Sequence, residues 1–265
     1  MNSGNSILKL QESDSNIRLL AAQRELYAKA KAWGRLSLFF GVILPILMVV
    51  NESLCMWPGW AYFVVPIGAL IMDAIAAVCS GHDREEAARV QQRFESSVYG
   101  IDLPYGHLDE EKVQRASNSY LARHGADELR SWFPNSIAGE DPVQAVASCQ
   151  RTCSVWSEKL LIPCVGLSAI PLFACLTLAF FPLNAEPALS ASIVMPAAEW
   201  SIKALVDWGS SLRGVRRLNQ AIGLLGNADE RTIRRVQDSI YSYRLNRPLP
   251  ETIYRISRKR YEQQF

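Results

Sequence analysis

The chain of 265 residues is 49% hydrophobic, with a formal net charge of +2 and a mean hydropathy of +0.02. These averages combine polar parts with four long apolar stretches, at residues 36–50, 57–79, 160–181 and 188–206. A bilayer core about 30 Å thick requires roughly 20 helical residues, and core helices of soluble domains rarely run that long without a charge. The pattern disfavours a soluble protein and predicts an all-α membrane protein with four transmembrane helices.

The charges beside the apolar stretches predict how the chain crosses the bilayer. Short links at residues 51–56 and 182–187 join the stretches in pairs and contain no Lys or Arg. The opposite ends are basic, with Arg24, Lys29, Lys31, Arg35, Arg84, Arg89, Arg93, Arg151, Lys159, Arg213, Arg216 and Arg217. Because basic residues stay on the cytoplasmic side during insertion, we expect two hairpins with both termini and the middle segment in the cytoplasm. The polar to mixed start of the chain is unlike a cleavable signal peptide.

These boundaries divide the chain into five segments. We predict a cytoplasmic N-terminal amphipathic helix (1–34), a first transmembrane hairpin (35–80), a cytoplasmic helical segment (81–158), a second hairpin (159–207) and a basic cytoplasmic helical tail (208–265).

Capping and breaking residues predict the helix ends outside the apolar stretches. The first helix should turn at Gly34 into the first span, and the second span should continue as a helix to residue 98, before Gly100. Gly125 should stop a helix over 108–124. Asp141 and Pro142 should start the helix that enters the third span. In the tail we expect helices over 229–245 and 251–261, separated by a turn at 247–250.

The cytoplasmic segments differ in charge. Residues 209–265 contain twelve basic and five acidic side chains, a net +7, whereas residues 82–158 contain eight basic and thirteen acidic side chains, a net −5. Two interpretations remain open. The tail docks on the middle segment and on anionic lipid headgroups, or some of its arginines bind a phosphate-bearing ligand.

Three charged residues, Asp73, Glu199 and Lys203, lie within or near the ends of the apolar stretches. Charge at bilayer depth is costly and normally faces protein or water. Glu199 and Lys203 are four residues apart and can pair on one helix face. Such a pair either reaches toward the cytoplasmic interface or lines a water-filled path in an oligomer.

The sequence offers little support for catalysis or metal binding. It contains no Gly-rich phosphate loop and no serine elbow, so we expect no enzymatic activity. The three histidines and six cysteines show no zinc spacing, although Cys149 and Cys153 share one helix face. We therefore expect no metal and no cofactor, and structural disulfides are disfavoured in the cytoplasm.

Short sequence motifs mark the polar segments. In chain order they are Leu20-Ala21-Ala22-Gln23-Arg24, Tyr99-Gly100-x-x-Leu103-Pro104, Trp132-Phe133-Pro134, Cys149-Gln150-Arg151 with Trp156, and Gln237-Asp238-x-Ile240-Tyr241-x-x-Arg244 followed by Pro250-x-x-x-Tyr254. With the two pairs of apolar stretches, they resemble the SMODS-associated four-transmembrane effector family of bacterial cyclic-oligonucleotide anti-phage defence (CBASS). The chain departs from the family pattern at Tyr105-Gly106, Cys153 and Ser157, which leaves the ligand type open.

The resemblance implies a pore-forming effector in the bacterial inner membrane. A cognate nucleotidyltransferase would make a cyclic di- or oligonucleotide during phage infection. This homo-oligomeric protein would bind it and permeabilise the membrane in abortive infection, with the lipid bilayer and no DNA or RNA as its other partner. The alternative is a non-conducting, membrane-anchored nucleotide sensor or scaffold subunit.

Nucleotide phosphates suit arginine, and bases stack on aromatic side chains. The candidate nucleotide-binding residues are Arg130, Trp132, Gln150, Arg151, Trp156, Arg234, Arg235, Tyr241 and Arg244. Structural roles remain open for several of them. Arg151 could instead pair with an acid such as Asp141 or Glu158, and Arg234 and Arg235 could cover lipid headgroups.

Overall fold

The computed structural model describes residues 1–48, 58–180, 187–223, 229–246, 250, 253 and 256, and these residues form helices and connecting loops without a β-strand. The helices are α1 (Gly4–Gln11), α2 (Asp14–Leu38), α3 (Ala61–Tyr99), α4 (Glu110–His124), α5 (Pro142–Phe180), α6 (Pro187–Gly223) and α7 (Glu230–Arg244). A π-helical turn, Phe39–Ile43, follows α2 and leads into helical residues up to Met48. The predicted all-α class is confirmed for this part of the chain.

The chain forms two compact units. The first, here called the polar unit, contains Met1–Ala30, His82–Lys159 and Leu212–Asn246. The second, here called the span unit, contains Lys31–Gly81 and Leu160–Ser211. The four long helices α2, α3, α5 and α6 each contribute residues to both units.

Capping residues set the ends of the shorter helices as the sequence predicts. Asp109 caps α4 by accepting a hydrogen bond from the Lys112 amide at 3.0 Å. The helix ends at Gly125, whose φ of +72° suits glycine. Asp229 caps α7 in the same way through the Thr232 amide at 2.9 Å.

The N-terminal segment differs from the prediction in two respects. The helix α2 runs through Gly34 to Leu38, so the predicted turn at Gly34 is wrong. A glycine within a helix costs only about 1 kcal/mol relative to alanine, and packing overrides such a preference. In addition, the first residues form a separate short helix, α1, where the sequence predicted one helix over 1–34, and its Ile7 is fully buried.

Backbone contacts hold α1 in the polar unit. The Asn2 amide donates to the Tyr99 carbonyl at 2.8 Å, and the Asn2 side chain donates to the Val98 carbonyl at 3.0 Å. A Cβ atom added to Gly4 would overlap the Ile137 carbonyl oxygen. The chain therefore requires glycine here so that α1 can approach the loop that precedes α5.

Three aromatic rings pack together in the apolar core of the polar unit. Phe133 stacks on Phe94 with ring centroids 6.2 Å apart and lies 5.7 Å from the Tyr99 ring. The Phe133 amide donates to the Gln11 side chain at 2.8 Å, which ties α1 to this loop. The Trp132-Phe133-Pro134 motif thus contributes to the core.

The span unit exposes large apolar side chains along its helices. They include Phe39, Ile43, Ile46, Leu47, Trp60, Phe63, Val64, Ile67, Ile71, Ile75, Val78, Ile162, Leu167, Ile170, Phe173, Met195, Ile202 and Val206. Apolar patches of this extent mark membrane or protein contacts. By length and composition, the helices Asp14–Met48, Ala61–Tyr99 and Pro142–Cys175 are suited to cross a membrane.

Other parts of the predicted topology stay predictions. The fourth span, at 188–206, corresponds to part of α6. The hairpin links at 51–56 and 182–186 lie outside the described residues, as does most of the predicted last helix at 251–261.

The close approach at Gly4 predicts a large effect of a single methyl group. We expect Gly4→Ala to destabilise the protein by about 1–3 kcal/mol, because overpacking displaces α1. Thermal unfolding in detergent, followed by circular dichroism, measures the change. Gly214→Ala is the matched control, since an added Cβ there meets no atom within 4 Å. Equal melting temperatures for the two variants would contradict the packing at Gly4.

Candidate functional site

A network of buried polar side chains connects three helices of the polar unit. Its members, here called the Glu95 network, are Gln91, Gln92 and Glu95 from α3, Gln150 from α5, and Gln237 and Arg244 from α7. Buried polar groups are costly unless they are hydrogen-bonded, so their bonding pattern decides how α7 can pack.

The central contact is a two-pronged ion pair. Arg244 donates from its two terminal nitrogens to the two Glu95 carboxylate oxygens, each at 2.7 Å. The Glu95 side chain is 1% exposed and the Arg244 side chain 10% exposed. Burial lowers the pKa of Arg244, but the adjacent carboxylate outweighs burial and the net pKa lies above its ordinary value. The guanidinium therefore stays charged at every physiological pH.

Gln237 is the branch point of the network. Its side-chain nitrogen donates to Gln92 at 3.0 Å and to the Glu95 carboxylate. Its oxygen accepts from Gln150 at 3.0 Å, and the same Gln150 nitrogen donates to the Ile233 carbonyl at 3.1 Å. These bonds attach α7 to both α3 and α5.

The α2 helix joins the network through Tyr27. The Tyr27 hydroxyl donates to Gln91 at 3.3 Å, and Gln91 donates to Glu95 at the same distance. Burial raises the pKa of Tyr27 to about 12, so the hydroxyl keeps the proton that it donates.

The sequence of α7 accounts for its position. Ile233, Val236, Gln237 and Ile240 are spaced three or four residues apart and form its buried face. Val236 and Ile240 pack with Leu218 and Ile222 from α6. The sequence left two interpretations of the basic tail open. For α7 the structure agrees with docking on the middle segment, because Gln237 and Arg244 bond Glu95.

Five of the candidate nucleotide-binding residues have protein partners. Gln150 and Arg244 belong to the Glu95 network. Arg130 pairs with Glu12 at 3.2 Å, and Arg234 bonds Glu230 and the Asp102 carbonyl. The half-buried Trp132 packs edge-to-face on Phe94, and the Arg24 guanidinium lies 5.6 Å from its ring centroid.

The other four candidates differ in their exposure. Arg151 and Arg235 are exposed, and Trp156 and Tyr241 are half-buried. Glu158, one possible partner of Arg151, instead accepts hydrogen bonds from Arg216 at 3.0 Å and Asn219 at 2.7 Å. Two of the sequence motifs meet in the structure, because Gln150 of the Cys149-Gln150-Arg151 motif donates a hydrogen bond to Gln237 of the Gln237-Asp238 motif.

Sequence reasoning missed Glu95 and Gln92. Both lie in a stretch rich in Glu, Arg and Gln that resembles a solvated helix surface. The available signal was their position between Val90, Phe94 and Val98, the apolar residues that form the buried face of α3.

A second polar cluster lies in the span unit. Ser37 donates to the buried carboxylate of Asp73, and Trp200 donates to Ser37 at 3.1 Å. Gly41, in the π-helical turn, lies so near Trp200 that an added Cβ would be 2.7 Å from its ring. Polar contacts thus join α2, α3 and α6, and the Asp73 side chain faces protein.

Glu199 and Lys203 form the ion pair that their spacing predicts. The Lys203 ammonium lies 2.6 Å from the Glu199 carboxylate along α6. Both side chains are substantially exposed on the span unit.

The five cysteines within the described residues are free thiols suited to packing. Cys149 is buried, and burial raises the pKa of Cys153 to about 12, which disfavours the reactive thiolate. Among the described residues, no group of three or more His, Cys, Asp and Glu side chains is placed to hold a metal ion.

The protein has long apolar helices with exposed apolar faces and, beside them in the chain, a folded polar unit. These features define a helical membrane protein. The chain belongs to the SMODS-associating 4TM effector family, whose domain model matches residues 5–182. It is also similar to a probable CBASS effector molecule of Bacillus cereus (strain VD146). The two are 21% identical over 274 residues, which cover 94% of this chain and 92% of the relative. No solved structure matches the chain.

The buried ion pair predicts an asymmetric response to mutation. We expect Arg244→Ala to destabilise the protein by about 3–5 kcal/mol, because Glu95 is left buried without its counter-charge. Arg235→Ala, on the exposed face of the same helix, should change stability by no more than about 0.5 kcal/mol. Thermal unfolding in detergent compares the two.

The double variant Glu95→Leu/Arg244→Met separates loss of the charge from loss of packing. Because it removes both charges together, it should recover most of the stability that Arg244→Ala loses. A double variant no more stable than Arg244→Ala would contradict this account of the pair.

Proposed function

We propose that this protein is a membrane effector that responds to a cyclic di- or oligonucleotide and permeabilises the bacterial inner membrane in anti-phage abortive infection. The messenger comes from a cognate nucleotidyltransferase. Membership of the SMODS-associating 4TM effector family supports this role. The similar protein of B. cereus carries the name of a probable CBASS effector, which supports the same defence context.

The observation that carries the proposal is the path of the four long helices. Each of α2, α3, α5 and α6 contributes residues both to the polar unit and to the span unit with its exposed apolar side chains. A ligand shifts a conformational equilibrium only through different affinities for its two states. A ligand that favours one arrangement of these helices in the polar unit therefore acts on segments that continue into the bilayer.

Six of the nine candidate residues take one of two roles in this proposal. Arg151 and Arg235 are exposed and offer charge to phosphates, while Trp156 and Tyr241 offer aromatic surface to bases. Gln150 and Arg244 act from within, because they hold α7 on α3 and α5. Neither role calls for catalysis.

Membrane potential in living cells tests the function. Cells that express the protein with its cognate nucleotidyltransferase are loaded with a voltage-sensitive dye, and an inactive nucleotidyltransferase provides the reference state. We expect nucleotide production to change the potential, and either sign of control counts as a response. An unchanged potential upon nucleotide production would rule out permeabilisation.

Arg151→Ala tests the proposed ligand contact in the same assay. We expect it to weaken the response at least about tenfold in nucleotide dose, because a charge-assisted phosphate contact is lost. Arg115→Ala is the matched control, since Arg115 is also an exposed arginine of the polar unit. Equal responses of the two variants would remove Arg151 from the site.

Leakage from liposomes separates the effector from a non-conducting sensor. The purified full-length protein is reconstituted with an enclosed dye and exposed to a panel of cyclic di- and oligonucleotides. Nucleotide-dependent release supports permeabilisation. Binding without release would favour the membrane-anchored sensor or scaffold.

A further inference from the structure

One face of α6 in the span unit combines exposed apolar residues with an ion pair. Met195, Ile202 and Val206 are 64%, 51% and 60% exposed. Between them lie Glu199 and Lys203, whose side chains are 40% and 50% exposed. The spacings of four, seven, eight and eleven residues from Met195 place all five on one helix face. This set is called the α6 stripe below.

The ion pair lies well inside the span unit. Glu199 precedes Ser211, where this stretch of the span unit ends, by twelve residues. At 1.5 Å per residue, that is about 18 Å along the helix axis. The exposed Val206, followed by the half-buried Asp207, lies between the pair and that end, and the exposed Met195 lies on the other side of the pair.

The direction of the Lys203 side chain reinforces this placement. Side chains on a helix point toward its N-terminus, and the Lys203 ammonium accordingly contacts Glu199, one turn toward the N-terminal end of α6. The ammonium therefore points away from Ser211 and the start of the polar unit. A lysine reaching for the water at that end would extend in the opposite sense.

The exposed faces of two other helices of the span unit have a different chemistry. The exposed large residues of α3 include Ile67, Ile71 and Ile75, and those of α5 include Ile170 and Phe173. Such side chains suit lipid tails directly. An exposed ion pair in hydrocarbon is costly, and charged groups at this depth face protein or water.

We propose that the α6 stripe is the interface with a second copy of this chain, in which Lys203 of one protomer also pairs with the partner's Glu199. The stripe carries both charges that such a contact requires. In a cyclic assembly about an axis normal to the membrane, the α6 helices lie at the same depth, and each protomer offers a carboxylate where its neighbour offers an ammonium. Met195, Ile202 and Val206 provide the flanking apolar contact.

Charge complementation between two tagged copies tests this interface. In Glu199→Lys both stripe charges become positive, and in Lys203→Glu both become negative. We expect each variant to associate with itself at least about tenfold less than the unaltered chain, because like charges then face each other. Co-expression of the two variants restores opposite charges, so the differently tagged copies should co-purify from mild detergent. A lipid-only environment predicts no restoration.

Site-specific photo-cross-linking keeps the test independent of these charge changes. A photo-reactive amino acid is placed at Ile202 in the full-length protein and irradiated in intact membranes. The matched control is Ile71, which is 55% exposed on α3 of the same unit. We expect a covalent dimer from position 202 and at least about tenfold less from position 71.

Equal cross-linking at both positions, or failure of the two charge variants to rescue each other, would overturn the interface. Neither assay requires a nucleotide or a conductance measurement. An assembled α6 stripe in a protein that never changes the membrane potential would count against the proposed function alone. A nucleotide-dependent conductance without association through α6 would count against the interface alone.

Discussion

The polar unit depends on a buried charge that only one side chain in its network neutralises. Glu95 is almost fully enclosed, and Arg244 approaches it with both terminal nitrogens at 2.7 Å. Burying such a pair contributes little net stability, whereas breaking it is expensive, because the remaining charge has no water around it. The pair therefore specifies where α7 packs more than it strengthens the fold. Gln237 sets the register, since it bonds α3 and α5 at once.

The span unit uses the same physics with fewer bonds. Asp73, Ser37 and Trp200 come from three helices and satisfy one another within a unit whose outer surface is apolar. Without water to compete, these polar contacts have few alternative partners, which favours one arrangement of the helices. Glu199 and Lys203 differ because they face outward. The inward cluster connects three helices of one protomer, whereas the outward pair is the basis of the proposed contact with a second copy.

Much of the fold could be predicted from local signals. Asp109, Gly125 and Asp229 make their capping hydrogen bonds with residues three or four positions away. These helix ends can therefore be predicted without knowing the tertiary structure. The turn at Gly34 was wrong because one glycine is a weak signal against the packing of a long helix. A separate α1 helix was not predicted because its anchors, Tyr99 and Ile137, are distant in sequence.

The candidate site was harder to predict, because its residues are also distant from one another in sequence. Gln150 and Arg244 were found through motifs, yet their partners Glu95 and Gln92 look like solvated residues until α7 is placed against α3. Arg151 and Arg235 are exposed, so no pattern of apolar residues indicates where they lie. The sequence therefore predicts their charge but not which residues surround them.

The discontinuous build of the polar unit has a consequence for biosynthesis. Its three parts are separated in the chain by the two stretches of the span unit. The α1 helix is translated long before Tyr99 and Ile137, and Glu95 long before Arg244. At typical translation rates of about 5–20 residues per second, Arg244 is synthesised on the order of ten seconds after Glu95. A nascent chain stalled before α7 therefore holds an incomplete polar unit, and maturation is tied to delivery of the whole polypeptide.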